Sequence, residues 1–147
     1  MSTVQTSTPR QRIAAECARH GTAALTAACV ALLDGRPDDV ADGLIMVLGG
    51  EAARDVLDGG AGGRTGYWPR VWAARGLLHL WDPAAAEAVI GATYDASWRV
   101  REMACKVVAR HKVGDALNAV AALRADEVDR VRAAASRAVT VLTAAGA

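Results

Sequence analysis

Apolar residues along this chain return every three or four positions, segment after segment, and the period-two alternation of a half-buried strand does not appear. Ile13, Ala14 and Cys17 share one face of a segment that Pro9 opens and His20-Gly21 close. Thr22 to Leu33 is apolar nearly all round, which predicts a helix covered on two sides. Asp34-Gly35-Arg36-Pro37 breaks it. Asp38 and Asp39 then suit the positive end of a third helix, carrying Val40, Leu44, Val47 and Leu48 and stopped by Gly49-Gly50. A short helix from Glu51 to Leu57 follows. Tyr67 to Leu80, Asp82-Pro83 to Ala92, Ser97 to Arg110, Gly114 to Leu123 and Glu127 to Thr143 complete the set. The pattern predicts eight or nine antiparallel helices of ten to sixteen residues, joined by short turns. The polar residues 1–8 read as a disordered tail. Asp58 to Gly66 holds five glycines in nine residues. It lacks the Lys-Ser/Thr and preceding strand of a phosphate cradle, so it reads as a plain loop whose shortening changes little.

The last helices repeat one another at a spacing of 31 residues. Asp95 falls on Asp126, Arg99 on Arg130, Val100 on Val131, Arg101 on Arg132, Ala104 on Ala135, Lys106 on Arg137 and Val108 on Val139. A fixed period in this range indicates stacked helical units, each burying its apolar face against its neighbours.

Two stretches carry a resemblance. Asp95-Ala96-Ser97-Trp98-Arg99-Val100-Arg101-Glu102-Met103-Ala104 and Asp126-Glu127-Val128-Asp129-Arg130-Val131-Arg132-Ala133-Ala134-Ala135 resemble the HEAT-repeat family as found in small bacterial repeat proteins. The resemblance implies an all-α, α-α superhelix, a HEAT-like solenoid forming a single domain over 9–147. Residues 82–111 and 112–143 are its clear repeats. A degenerate copy spans 51–81, with Trp68 matched to Trp98 and the Val-Arg pair inverted as Arg70-Val71. Residues 9–50 carry helices without the motif and serve as capping helices. In such a family Arg101 and Arg132 hold carboxylates or carbonyls of neighbouring repeats, with Asp95 and Asp126 as candidate turn partners. The family also places Val100, Ala104, Val107, Val108, Val131, Ala135, Ala138 and Val139 in the core, and periodicity alone gives the same stripe.

Composition supports helices: 34 alanines and no Phe suit closely packed short helices and argue against a sheet. Cys17, Cys29 and Cys105 are odd in number, far apart and set among apolar neighbours, as core residues of a reducing compartment would be. The most apolar run, Ala23 to Leu33, is too short to span a bilayer. A cytoplasmic protein with no membrane segment is the expectation.

The formal charge of +1 is unevenly spread, with −3 over residues 1–63 and +4 over 64–147. Arg99, Lys106 and Arg110 fall within about 40° of one another on their helix. Arg130 and Arg137 repeat two of those positions, and Arg70 extends the row. The family's second helices line a concave, ligand-facing surface, which would make these side chains a ridge for an acidic protein or for phosphates. The blander alternative is a set of solvated charges neutralised by Glu102 and Asp126 one helical turn away. Among four tryptophans, one or two fill the core, and Trp98 beside Arg99 is the candidate anchor for a partner. His20, His79 and His111 are isolated, no metal-ligand spacing exists, and Ser97 and Ser136 have no paired base.

The sequence therefore predicts a non-enzymatic protein-interaction module without cofactor or metal. Its partner would be an acidic protein surface or peptide, met by Trp98, Arg99, Lys106, Arg110, Arg130 and Arg137. A nucleic-acid-binding or DNA-repair-like HEAT module and a purely structural accessory subunit are the rivals.

Overall fold

A computed structural model describes residues 6–145. Among them are nine α-helices and no strand: α1 (Pro9–His20), α2 (Ala23–Leu33), α3 (Asp42–Gly49), α4 (Glu51–Leu57), α5 (Trp68–Gly76), α6 (Ala86–Ala92), α7 (Trp98–His111), α8 (Leu117–Ala122) and α9 (Asp129–Ala145). The protein is all-α. Several helices are shorter than the pattern suggests, because 3₁₀ turns at Pro37–Asp39, Pro83–Ala85, Gly114–Ala116 and Leu123–Ala125 take over their ends. The segment expected to run helically from Tyr67 to Leu80 stops at Gly76, where the N–H of Leu77 is shared between the carbonyls of Ala73 and Ala74.

Residues 1–5 of the expected disordered tail lie outside the described part. Residues 6–8 are ordered, against that expectation. The Thr8 hydroxyl accepts the N–H of Gln11 at 3.1 Å, and the Gln11 side chain accepts the N–H of Thr8 at 2.9 Å. That reciprocal cap satisfies two of the donors that an α-helix leaves orphaned at its start.

Helices α5, α7 and α9 lie side by side, with α7 in the middle, and α2, α6 and α8 pack behind them. The stripe anticipated on α7 and α9 is core: Val100, Ala104, Val107, Val108, Val131, Ala135 and Ala138 are fully buried. Each fully buried valine contributes about 1.5 kcal/mol. Val139 is a correction, being only half-buried on the outermost helix of its row.

Two further corrections concern the first half. The helix behind α5 is α2, whereas α4 packs chiefly on α3, so residues 51–81 do not form a packed pair of their own. Helix α2 in turn is covered over most of its girth but leaves Ala23, Ala24 and Ala27 exposed.

An ion-pair ladder ties the units together. Arg101 donates from Nε and Nη2 to the Asp126 carboxylate at 2.9 and 3.2 Å, while its Nη1 holds the Asp95 carbonyl at 2.9 Å. Arg70 repeats the arrangement on Asp95, at 2.7 and 3.2 Å. Each aspartate also accepts the backbone N–H two residues on, from Ser97 and Val128 respectively. Arg70 is thus the counterpart of Arg101, 31 residues before it, and Pro69 holds the place of Val100. Matching Trp68 to Trp98 set this repeat one residue out of register, and Arg70 belongs to the ladder instead of the exposed row. Burial alone would raise the Asp126 carboxyl, but the Arg101 guanidinium and the Val128 N–H outweigh it and hold it below the ordinary value.

The glycine loop is pinned too. Arg70 Nη1 donates to the Gly66 carbonyl at 3.0 Å and Arg64 pairs with Asp42. Ala61 sits at φ 51° among left-handed glycines, so the loop has a defined path that shortening would disturb.

Candidate cationic face and groove

The row α5, α7, α9 presents its N-terminal ends as a stack of rings and guanidinium groups. Tyr67 and Trp68 lie 5.1 Å apart at the start of α5, and Trp68 leads inward to the buried Trp72 at 6.3 Å. Trp72 fits because Gly49 lacks a side chain: a Cβ there would lie 2.5 Å from the indole. The Arg99 guanidinium sits over Tyr67, Trp68 and Trp98, at 5.2, 5.6 and 4.6 Å from the ring centroids. Arg130 lies over the same Trp98 ring at 5.4 Å. Such contacts are worth about 0.5–1 kcal/mol each at exposed sites. Trp98 was expected as an open anchor; it is half-buried, and its π-surface is engaged by two arginines.

Glu102 sits below this stack. It is buried, and its carboxylate accepts Arg130 Nε at 2.7 Å and lies 3.8 Å from Lys106 Nζ. Neutralisation by Glu102 is therefore real for Arg130 and Lys106, while Asp126 serves Arg101 and not Arg130. Among the described residues no carboxylate lies within ion-pair distance of Arg99, Arg110 or Arg137.

Beyond Lys106 the face opens into a hollow of about 260 Å³, lined by Leu78, Lys106, Ala109, Arg110, Arg137 and Val141. The six residues read from the sequence thus form one contiguous set. Trp98 joins Arg99 to Arg130, Glu102 joins Arg130 to Lys106, and the hollow joins Lys106 to Arg110 and Arg137.

Sequence reasoning missed what lies on the far side of Leu78 and Arg110. Both residues also line a second hollow of about 390 Å³ against α1, with Arg10, His79 and His111 on its rim. Its floor is apolar, from Ile13, Ala14, Cys17, Leu80 and Trp81. His111 donates from Nε2 to the Leu77 carbonyl at 2.7 Å and stacks on Trp81 at 4.6 Å. Burial, and then the charges of Arg110, Arg10 and Arg75, lower the His79 pKa, so this imidazole resists adding to the local positive charge. No repeat motif reaches α1 or residues 78–81, so periodicity offered no signal for them.

Among the described residues no group of three or more His, Cys, Asp and Glu is placed to hold a metal ion, and no helix is long and apolar enough to cross a membrane. Comparison with protein-family models, curated proteins and solved structures finds no match to this chain.

Proposed function

We propose that this chain is a small HEAT-like solenoid that works as a non-enzymatic protein-binding module, an adaptor or scaffold that holds an acidic segment of another protein. The observation that carries the reading is the unbroken line of cations from Arg99 to Arg137, three of them without a carboxylate neighbour among the described residues. A field of one sign over adjoining hollows draws an acidic partner and fixes its register. The occupied faces of Trp98 argue against a nucleic-acid reader, which needs open rings on which bases stack. Its three free thiols suit a reducing compartment, and the cytoplasm is where the reading places it.

The test is a titration with a fluorescent hexaglutamate peptide and, separately, with single-stranded oligonucleotides. Saturable peptide binding that Arg110→Glu with Arg137→Glu removes supports the reading. Tighter binding of the oligonucleotide, falling steeply with salt, replaces it with the nucleic-acid alternative.

A further inference from the structure

The two hollows that share Leu78 and Arg110 make one groove, running from Arg10 on α1 to Arg137 on α9. Its two halves differ in chemistry. The α7–α9 half carries Lys106, Arg110 and Arg137 around a shallow patch of Leu78, Ala109 and Val141. The α1 half is larger and has a deeper apolar floor, with Ile13 and Leu80 buried beneath it and cations only at the rim. No aspartate or glutamate lines either half, whereas the largest hollow of the molecule, against α2, mixes Arg36 with Asp39 and Asp82. A ligand that complements this groove must be anionic over one half and apolar over the other.

We propose that the groove binds an extended protein segment in which a run of acidic residues adjoins one large aliphatic or aromatic side chain. The acidic run lies along Lys106, Arg110 and Arg137, and the apolar side chain enters between α1 and Trp81. The proposal rests on the protein-binding reading and specifies its ligand. Charge complementarity selects the acidic run. The apolar floor selects the anchor, because a wholly acidic segment would leave that floor covered only by water. Arg10 at the far rim caps a carboxylate beyond the anchor and gives the segment two charged ends around an apolar centre.

The experiment compares three synthetic peptides: hexaglutamate, hexaglutamate extended by Gly-Leu at either end, and the same extended peptides with Ser in place of Leu. Amide chemical shifts of the ¹⁵N-labelled protein locate each peptide, and titration gives each Kd. One Leu-bearing peptide should bind about tenfold tighter than its Ser counterpart, the gain for burying one such side chain. It should also shift the amides of Cys17 and residues 78–81, which hexaglutamate leaves in place. Ala14→Trp fills the α1 half from an exposed position and should abolish the Leu gain while leaving hexaglutamate binding unchanged. Equal affinity of the Leu and Ser peptides, or a Leu gain that survives Ala14→Trp, overturns the proposal and leaves the acidic-partner reading standing. Failure of every peptide to perturb residues 106–137 overturns both.

Discussion

The carboxylate of Asp126 is held by Arg101 through two hydrogen bonds, although 25 residues of chain separate them. Their side chains are only 7 % and 12 % exposed, so neither charge can turn to water if the other is lost. Removing one partner of such a pair costs about 3–5 kcal/mol. Asp126→Asn should therefore lower stability by that order in urea unfolding. Arg132→Ala should cost under about 1 kcal/mol, since Arg132 is more exposed and pairs with its neighbour Asp129. Equal effects of the two substitutions would show that the ladder does not hold the units together.

The same pair sets an acid limit. The folded pKa of Asp126 lies below its ordinary value, so its contribution is complete above the ordinary carboxylate pKa and is lost as pH falls through the folded one. The stability difference between wild type and Asp126→Asn should be flat from neutrality to about pH 5 and shrink below about pH 4. Stability curves across pH, measured side by side, check this.

Thiol chemistry should separate the cysteines. Burial pushes Cys29 and Cys105 up to about 12, whereas Cys17 is half-exposed on the groove floor. Ellman's reagent at pH 8 should modify one thiol in the folded protein and three in urea. These raised values favour folding below the ordinary thiol pKa, and that contribution fades as pH rises toward about 12. Rapid modification of all three thiols in the folded state would contradict the packing around α2 and α7.

Two glycines within helices should respond oppositely to alanine. A Cβ at Gly49 collides with the Trp72 ring, which is buried and cannot withdraw, so Gly49→Ala should destabilise by about 1–3 kcal/mol. Gly91 in α6 has open space around its Cβ direction, so Gly91→Ala should stabilise by about 0.5–1 kcal/mol. Thermal melts of both variants decide the point.

Charge reversal should also discriminate along the cationic face. Arg130→Glu sets a carboxylate beside buried Glu102 and should cost about 1–2 kcal/mol, after screening at an exposed site. Arg110→Glu with Arg137→Glu should change stability by no more than about 0.5 kcal/mol per site. A double reversal of Arg99 and Arg130, harmless on sequence reasoning, is a poor test of binding because it disturbs both Glu102 and the Trp98 stack.

What the sequence made legible is the part that repeats. Asp95, Arg101, Asp126 and the Val-Ala-Val stripe recur because each unit must solve the same packing and capping problem, so periodicity locates α6 to α9 and their core. The degenerate copy was misaligned because Trp68 resembles Trp98 in chemistry but not in position. The constraint that fixes register is the reach of Arg70 to Asp95, and a conspicuous aromatic says nothing about it. The cationic row was readable from helical phase, but the burial of Glu102 and the covering of Trp98 depend on neighbours brought in from other helices. The α1 half of the groove was invisible for the same reason: Arg10 and Trp81 meet only after the chain has folded back over α5.

The placement of α2 behind α5 has a consequence for how the molecule assembles. In an ideal array each unit contacts only its sequence neighbours, and folding spreads from any unit to the next. Here residues 34–67 lie between α2 and α5, so the first half must close a long loop before α5 gains its backing. That closure makes α1 to α5 a single cooperative block with slow, non-local contacts, while α6 to α9 retain the fast, neighbour-by-neighbour route. Hydrogen exchange should then show one shared opening energy across α2, α3 and α5, and a graded one toward α9. The two sides of the groove would belong to different folding units, joined where Arg110 meets Leu78.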